Sequence, residues 1–141
     1  IADTGQFWSG LTGELLCNSS LVLIVMDQRR ASTYGAIKAL ELCQRLGIPM
    51  ARIAFVLNRA SGMSHSEIER IEDSLGCEEL FRLADGKTTI EALVGMGRIE
   101  ELVEEGPAPI PDIELLLTKL LPRTGIEFPA IERKKTRRFF T

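Results

Sequence analysis

The sequence predicts an α/β fold in which a mostly parallel sheet is flanked by helices. Two short apolar runs, residues 20–26 and 53–58, are rich in β-branched side chains and do not alternate with polar ones. Such runs are typical of parallel strands that are buried on both faces. Between them, residues 31–46 carry apolar side chains at helical spacing. Strand, helix and strand in this order form a βαβ unit, whose crossover is right-handed in nearly all proteins.

The segments on either side of this unit predict further helices and one more strand. Residues 64–76 begin with a Ser-x-x-Glu capping box and end at a glycine, which mark the two ends of a helix. Residues 87–106 have a helical pattern that Gly95 and Gly97 could interrupt. The other predicted elements are a short helix over 10–19, an edge strand over 77–83, a rigid connector over 107–111 and an apolar helix over 112–122.

Length and composition favour one domain over residues 1–122, followed by a flexible tail. The chain has 141 residues, of which 45% are apolar and 26% charged, as in an ordinary globular protein with its own core. Its longest apolar run is too short to cross a bilayer, and its first ten residues lack the pattern of a signal peptide. Three widely spaced cysteines, Cys17, Cys43 and Cys77, argue against a disulfide framework and for burial in a reducing cytoplasm.

Charge is distributed unevenly along the chain. The net charge is −3, but residues 123–141 carry six basic and two acidic side chains, so the rest of the chain is strongly acidic. The basic tail could bind anionic lipid, at about 1 kcal/mol per basic residue near the membrane surface. It could equally bind the phosphates of a nucleic acid. A solvated, disordered tail is the alternative.

Polar residues follow the predicted strands at the edge where parallel sheets bind ligands, which is formed by the carboxyl ends of the strands. Ile1 and Ala2 have the pattern of the last step of a buried strand, which would end at Asp3. Residues 27–30 follow the next apolar run, and residues 58–62 follow the one after it. We therefore expect a ligand site built from these three strand ends.

The ordered segments resemble the second half of ParA/MinD-type P-loop ATPases. The resemblance rests on IADTG before a short helix, LVLIVMD before a longer one, FVLNR before a third, and then FRLADGKTTIEAL. The segment EEGPAPIPDIELLLTKLL fits the end of that domain, so the resemblance covers residues 1–122. Within the family, the general character of the sequence most resembles the branch that is attached to Tad-type pilus and secretion machinery.

The phosphate-cradling motif of this family, GxxxxGKS or GxxxxGKT, occurs nowhere in the 141 residues. The resemblance therefore implies a P-loop NTPase-like fold of which this chain is the C-terminal half. We expect the phosphate loop to lie in a segment before residue 1, and the chain by itself to be inactive as an ATPase.

The resemblance also assigns a role to the segment Asp3-Thr4-Gly5. Asp3 would hold Mg²⁺ through a water molecule, because this cation favours carboxylates and keeps several of its waters. Thr4 and Gly5 would continue a switch loop that approaches the γ-phosphate of ATP. Asp3 could instead cap the helix that follows, and Gly5 could be an ordinary turn glycine.

Asn58 would recognise the base of ATP, if the resemblance holds. Its side-chain amide offers a donor beside an acceptor, which matches the N7 and N6 positions of adenine. Alternatively, an Asn at a strand exit simply forms its own turn. Arg59 would lie over the base or at a solvated rim. Asp85 is a weaker candidate, because residues 82–85 lack the proline that the family usually shows before an acidic residue.

The residues and the resemblance are compatible with two functions. The first is an ATP-dependent positioning switch that forms a homodimer around ATP and Mg²⁺ and serves partitioning, cell-pole or pilus and secretion localisation. In such a switch the γ-phosphate orders the loop at Asp3. The second is a scaffold that keeps the fold without turnover and uses Arg29 and Arg30 as contacts for secretion or polar localisation proteins. Either function places the protein in the cytoplasm, or at the inner face of the membrane or the cell pole.

Overall fold

The computed structural model describes residues 1–5 and 8–127, and the chain divides into two units, Ile1–Asp85 and Gly86–Thr141. Most of the basic tail, residues 128–141, lies outside the described residues. In chain order, the described elements of the first unit are α1 (Gly10–Asn18), β1 (Val22–Met26), α2 (Arg30–Arg45), β2 (Ile53–Leu57), α3 (His65–Leu75) and β3 (Leu80–Arg82). Those of the second are α4 (Lys87–Gly95), α5 (Ile99–Glu105) and α6 (Ile110–Leu120).

The strands of the first unit pair as one parallel sheet in the order β1-β2-β3. β1 and β2 are in register from Val22 opposite Ile53 to Met26 opposite Leu57. Parallel neighbours need a long crossover, and α2 supplies it between β1 and β2 as α3 does between β2 and β3. The predicted α/β class is therefore confirmed, as is the prediction that the two apolar runs form adjacent parallel strands.

One face of this sheet packs against its helices and forms the core of the first unit. Phe55 and Leu57 of β2 are 1% and 0% exposed. Leu40 and Cys43 of α2 lie in the same apolar cluster, as does Ile71 of α3. Full burial of a side chain of this size contributes about 1.5–3 kcal/mol, so α2 and α3 are held on the sheet mainly by their apolar stripes.

β1 is not buried on both faces, and that part of the prediction is wrong. β2 is buried along its whole length, whereas β1 alternates between buried and exposed residues. Leu23 and Val25 are 45% and 59% exposed, although their partners in β2, Ala54 and Val56, are buried. β1 lies at one edge of the described sheet, where a neighbour is present on one side only. The face of β2 that carries Ala54 and Val56 is therefore covered, whereas the corresponding face of β1, with Leu23 and Val25, is open.

The ends of α3 follow the sequence signals. Ser64 Oγ accepts from the backbone N–H of Glu67, and the Glu67 carboxylate accepts from the backbone N–H of Ser64 at 2.8 Å. This reciprocal capping satisfies two donors that the first turn of a helix leaves without partners. Gly76 ends the helix at φ 61°, a left-handed conformation that glycine adopts without steric cost.

The predicted burial of the cysteines is confirmed for Cys43 and wrong for Cys17. Cys43 is 1% exposed and Cys77 is half-buried, but Cys17 is exposed. α1 turns Thr12 and Leu16 toward the interior, and Cys17 lies one residue further along, about 100° around the helix. A short helix with a single buried stripe therefore leaves this thiol in solvent.

The second unit consists of helices among its described residues. The predicted break in the helical stretch is confirmed, because Gly97 has φ 69° in the turn between α4 and α5. α6 buries Leu116 and Leu120, as its apolar pattern requires. Among the described parts of the chain, no helix combines the length and the apolar character needed to cross a membrane.

Candidate functional site

The carboxyl ends of the three strands meet at one edge of the sheet, and backbone hydrogen bonds tie their exit loops together. The N–H of Asn58 donates to the carbonyl of Met26 at 2.7 Å, which links the exits of β2 and β1. The N–H of Leu83 donates to the Leu57 carbonyl at 2.9 Å, and the N–H of Ala60 donates to the Leu83 carbonyl at 2.8 Å. These bonds hold the three exits side by side, at the edge where parallel sheets bind ligands.

Asn58 lies on the middle exit with its side chain exposed. Its Oδ1 accepts from the backbone N–H of Arg59 at 3.0 Å, so it does make its own turn. The amide keeps one oxygen lone pair and both N–H groups, for which the described residues offer no partner. Turn formation and recognition of a base edge are therefore compatible in this side chain.

Arg59 adopts φ 55°, which is uncommon for a residue with a side chain. The left-handed conformation costs roughly 1–2 kcal/mol, which the bond from its N–H to Asn58 offsets in part. The backbone of Arg59 is therefore held in the exit loop, and its exposed side chain extends from that position. Such a cation can cover a flat ligand or pair with an anion at this edge.

Asp85 is half-buried and lies two residues beyond Leu83, whose backbone is bonded to the loop of Asn58. The structure thus brings the predicted base-side residues Asn58, Arg59 and Asp85 to neighbouring exits of one sheet. The sequence alone could not show this proximity, because it depends on the pairing of β2 with β3.

Asp27 lies in the predicted exit segment 27–30 but was assigned no role of its own, and it is the carboxylate at this edge whose pKa is shifted most. Its Oδ1 accepts from the backbone N–H of Arg29 at 3.0 Å, and its Oδ2 accepts from Arg29 Nε at 2.7 Å. These hydrogen bonds, led by the one from the guanidinium, lower the pKa of Asp27 to about 2. The Asp27 N–H donates to Ser32 Oγ at 3.0 Å, which joins the exit of β1 to the first turn of α2. An aspartate directly after an apolar run, with an arginine two residues on, is the signal that could have identified it.

The segment Asp3-Thr4-Gly5 does not lie at a strand end. Residues 1–4 form no strand, and Ile1 and Ala2 are exposed, so the predicted buried strand is wrong for these residues. Two residues are too few to form a ladder by themselves. Asp3 Oδ1 instead accepts from the N–H of Gly5 at 3.1 Å, and Gly5 has φ 60°. The positive φ explains why a glycine stands here, as the turn alternative predicted.

The described residues contain no cluster of three or more His, Cys, Asp or Glu side chains that could hold a metal ion. Asp3 provides one exposed carboxylate, of which Oδ1 is engaged in the turn with Gly5. One carboxylate is compatible with a Mg²⁺ ion that is held mostly by waters and substrate phosphates. By itself it does not define a metal centre.

The first unit thus belongs to the class of parallel α/β domains, with polar residues at the carboxyl edge of the sheet. Comparisons with models of known protein families, with curated proteins and with solved structures found no match. The ParA/MinD resemblance therefore stays a prediction.

Proposed function

We propose that the first unit provides the base-binding edge of a nucleotide-binding domain of the ParA/MinD type, which acts as an ATP-dependent positioning switch. The observation that carries the proposal is the exposed amide of Asn58 at the middle exit of a parallel sheet. The backbone N–H of Asn58 is fixed to β1 and its Oδ1 to Arg59, so the unused amide N–H groups are presented from a constrained loop.

In this proposal the amide of Asn58 accepts from N6 of adenine and donates to N7, a pairing that guanine does not offer. Arg59 would cover the base or meet the phosphates, and Asp85 would border the base from the exit of β3. The phosphates and Mg²⁺ would depend on residues outside this chain together with Asp3. One bidentate base contact is worth about 1–3 kcal/mol, so the isolated chain should bind ATP only at millimolar concentrations or above.

Weak binding of this kind can be tested by NMR titration of the isotopically labelled chain with ATP and, separately, with GTP. We expect ATP to shift the side-chain amide signals of Asn58 and the backbone signals of Arg59 and Ala60, and GTP to shift them much less. In Asn58→Ala the preference for ATP should disappear. Asn18→Ala is the matched control, because Asn18 is exposed at the end of α1 and bonds only to the Glu14 carbonyl.

Equal responses to ATP and GTP would show that Asn58 does not read the base. A preference for ATP that survives in Asn58→Ala would place base recognition elsewhere. A contact of about 3 kcal/mol alone gives a dissociation constant of about 6 mM. If neither nucleotide shifts these signals at about 20 mM, above that value, the nucleotide proposal fails and the scaffold alternative is favoured.

A further inference from the structure

A cleft between α2 and α3 offers a second binding site in the first unit. It has a volume of about 400 Å³, which is within the range of small-molecule sites. Each helix lines it with residues three, four and seven positions apart, which fall on one helical face. The residues that matter most are Arg30, Tyr34 and Ile37 from α2 and Glu67, Arg70 and Ile71 from α3.

The floor of the cleft is apolar and belongs to the packed interior. Ile71 is a core residue, and Ile37 and Met63 pack against the same core. Close-packed side chains of this kind move little, so the floor is preformed. Tyr34 adds an exposed aromatic ring to the α2 side, with Lys38 Nζ 5.5 Å from the ring centroid.

The charges that line the cleft are predominantly positive. Arg30 has no ion pair within the described part of the chain, and Arg70 uses only Nε, which donates to the Ser66 carbonyl at 3.1 Å. The one lining carboxylate, Glu67, already accepts from the backbone N–H and hydroxyl of Ser64 at 2.8 and 2.7 Å. Arg30 and Arg70 thus line the cleft with terminal N–H groups that have no hydrogen-bond acceptor among the described residues, although the charge of Arg70 also acts on Glu67.

We propose that this cleft binds a small organic carboxylate with a flat apolar body, whose carboxylate pairs with Arg30 and Arg70 while its ring covers Ile37, Met63 and Ile71. The planar guanidinium is suited to a carboxylate because it can form two parallel hydrogen bonds. Two arginines and one glutamate leave a charge of +1 at the cleft, which favours a monoanion over a phosphate dianion. Asn58, Arg59 and Asp85 do not line this cleft, although Gln28 and Arg30 follow β1 at the same edge of the sheet. The proposal does not depend on nucleotide binding.

The probe for the test is 2-naphthoate, with the neutral and similarly shaped 2-naphthylmethanol as the comparison ligand. In an NMR titration of the chain, 2-naphthoate should shift the backbone signals of Tyr34, Ile37 and Ile71, and leave those of Asn58 and Arg59 in place. 2-Naphthylmethanol should bind about tenfold more weakly, since it cannot form the charge-assisted hydrogen bonds.

Arg30→Gln and Arg70→Gln should each weaken 2-naphthoate binding by about tenfold, the scale of one charge-assisted hydrogen bond, while leaving the affinity for 2-naphthylmethanol unchanged. Arg45→Gln, an exposed arginine of α2 outside the cleft, should leave both affinities as they are. Equal affinity for the two ligands, unchanged binding in both cleft variants, or shifts confined to other parts of the chain would each overturn the proposal. All three positions are exposed, so the variants should fold, and circular dichroism verifies this.

Discussion

At the scale of single residues, the pair Asp27 and Arg29 shows how a local contact stabilises the ionised form of a carboxylate at the carboxyl edge of the sheet. Arg29 reaches back to the carboxylate with its backbone N–H, with Nε, and with a terminal nitrogen 2.5 Å from Oδ2. A carboxylate that accepts such bonds is stabilised in its ionised form, which explains its pKa of about 2 against an ordinary value of 3.8. An aspartate of ordinary pKa is ionised at neutral pH as well, so the pair changes the protonation of Asp27 only in the acid range, below about pH 5.

Because the folded-state pKa of Asp27 is lowered, the pair contributes stability above the unfolded pKa and loses it as the pH falls through the folded value. We expect Arg29→Gln to raise the pKa of Asp27 toward 3.8. The difference in free energy of unfolding between wild type and this variant should be full above about pH 5, decrease as the pH falls through the folded pKa of about 2, and vanish below it. Carboxyl NMR titration gives the pKa, and urea unfolding at several pH values gives the stability.

Arg30→Gln is the control for this experiment, because Arg30 is the adjacent arginine and does not bond to Asp27. It should leave the pKa of Asp27 near 2. If Asp27 of the wild-type chain titrates near 3.8, Arg29 does not lower its pKa and the prediction is wrong.

Residue-scale prediction from the sequence was best where the role depends on neighbours in the chain. The capping box at Ser64 and Glu67 was predictable because both partners lie within one turn. The turn formed by Asn58 was foreseen as an alternative for the same reason. The position of Asn58 and Asp85 at neighbouring strand exits could not be predicted in this way, because it follows from the pairing of β2 with β3.

At the scale of elements, β1 and β2 have similar apolar sequences but different surroundings. β2 is central in the described sheet and fully buried, whereas β1 is at its edge and exposes Leu23 and Val25. Composition indicated that both are parallel strands, and this is confirmed. It could not indicate which of them has covered faces, because coverage depends on where each strand lies in the sheet.

Gly86, before α4, is required by a close approach that is also invisible in the sequence. A Cβ at this position would lie 2.1 Å from Ile90 Cγ1 and 2.7 Å from the backbone oxygen of Ala108. The isoleucine could adjust, but a backbone carbonyl cannot move away easily. We expect Gly86→Ala to lower the free energy of unfolding by about 1–3 kcal/mol, as overpacking does, measured by urea unfolding followed by circular dichroism.

Gly95→Ala provides the matched control at the other end of α4. Nothing lies within 4 Å of a Cβ built at Gly95, so alanine should be neutral there or stabilise α4 by up to about 1 kcal/mol. Equal stability of Gly86→Ala and wild type would show that the chain near Ala108 relaxes at little cost.

At the scale of the whole molecule, the first unit presents an apolar surface at one side of its sheet. Leu23 and Val25 project from the exposed face of β1, and the outer edge of β1 is without a partner strand in the described residues. Edge strands with exposed apolar side chains are templates for pairing with another chain. In the ParA/MinD proposal, further strands of the same domain would occupy this position, and in their absence a second copy can take it.

We therefore expect the isolated chain to self-associate through β1 and to elute in size-exclusion chromatography, with mass determined by light scattering, above its monomer mass of 15.6 kDa. Val25→Lys should shift it toward the monomer, since a charge on an edge strand opposes pairing. A contact that buries Val25 from both copies is worth roughly 1.5 kcal/mol per copy, so the dissociation constant should rise on the order of a hundredfold. Met96→Lys, at an equally exposed apolar residue of the second unit, should leave the association unchanged. A wild-type chain that stays monomeric would contradict self-association through β1. If this monomer also binds ATP tightly, the proposal that further strands and a phosphate loop complete this domain is wrong as well.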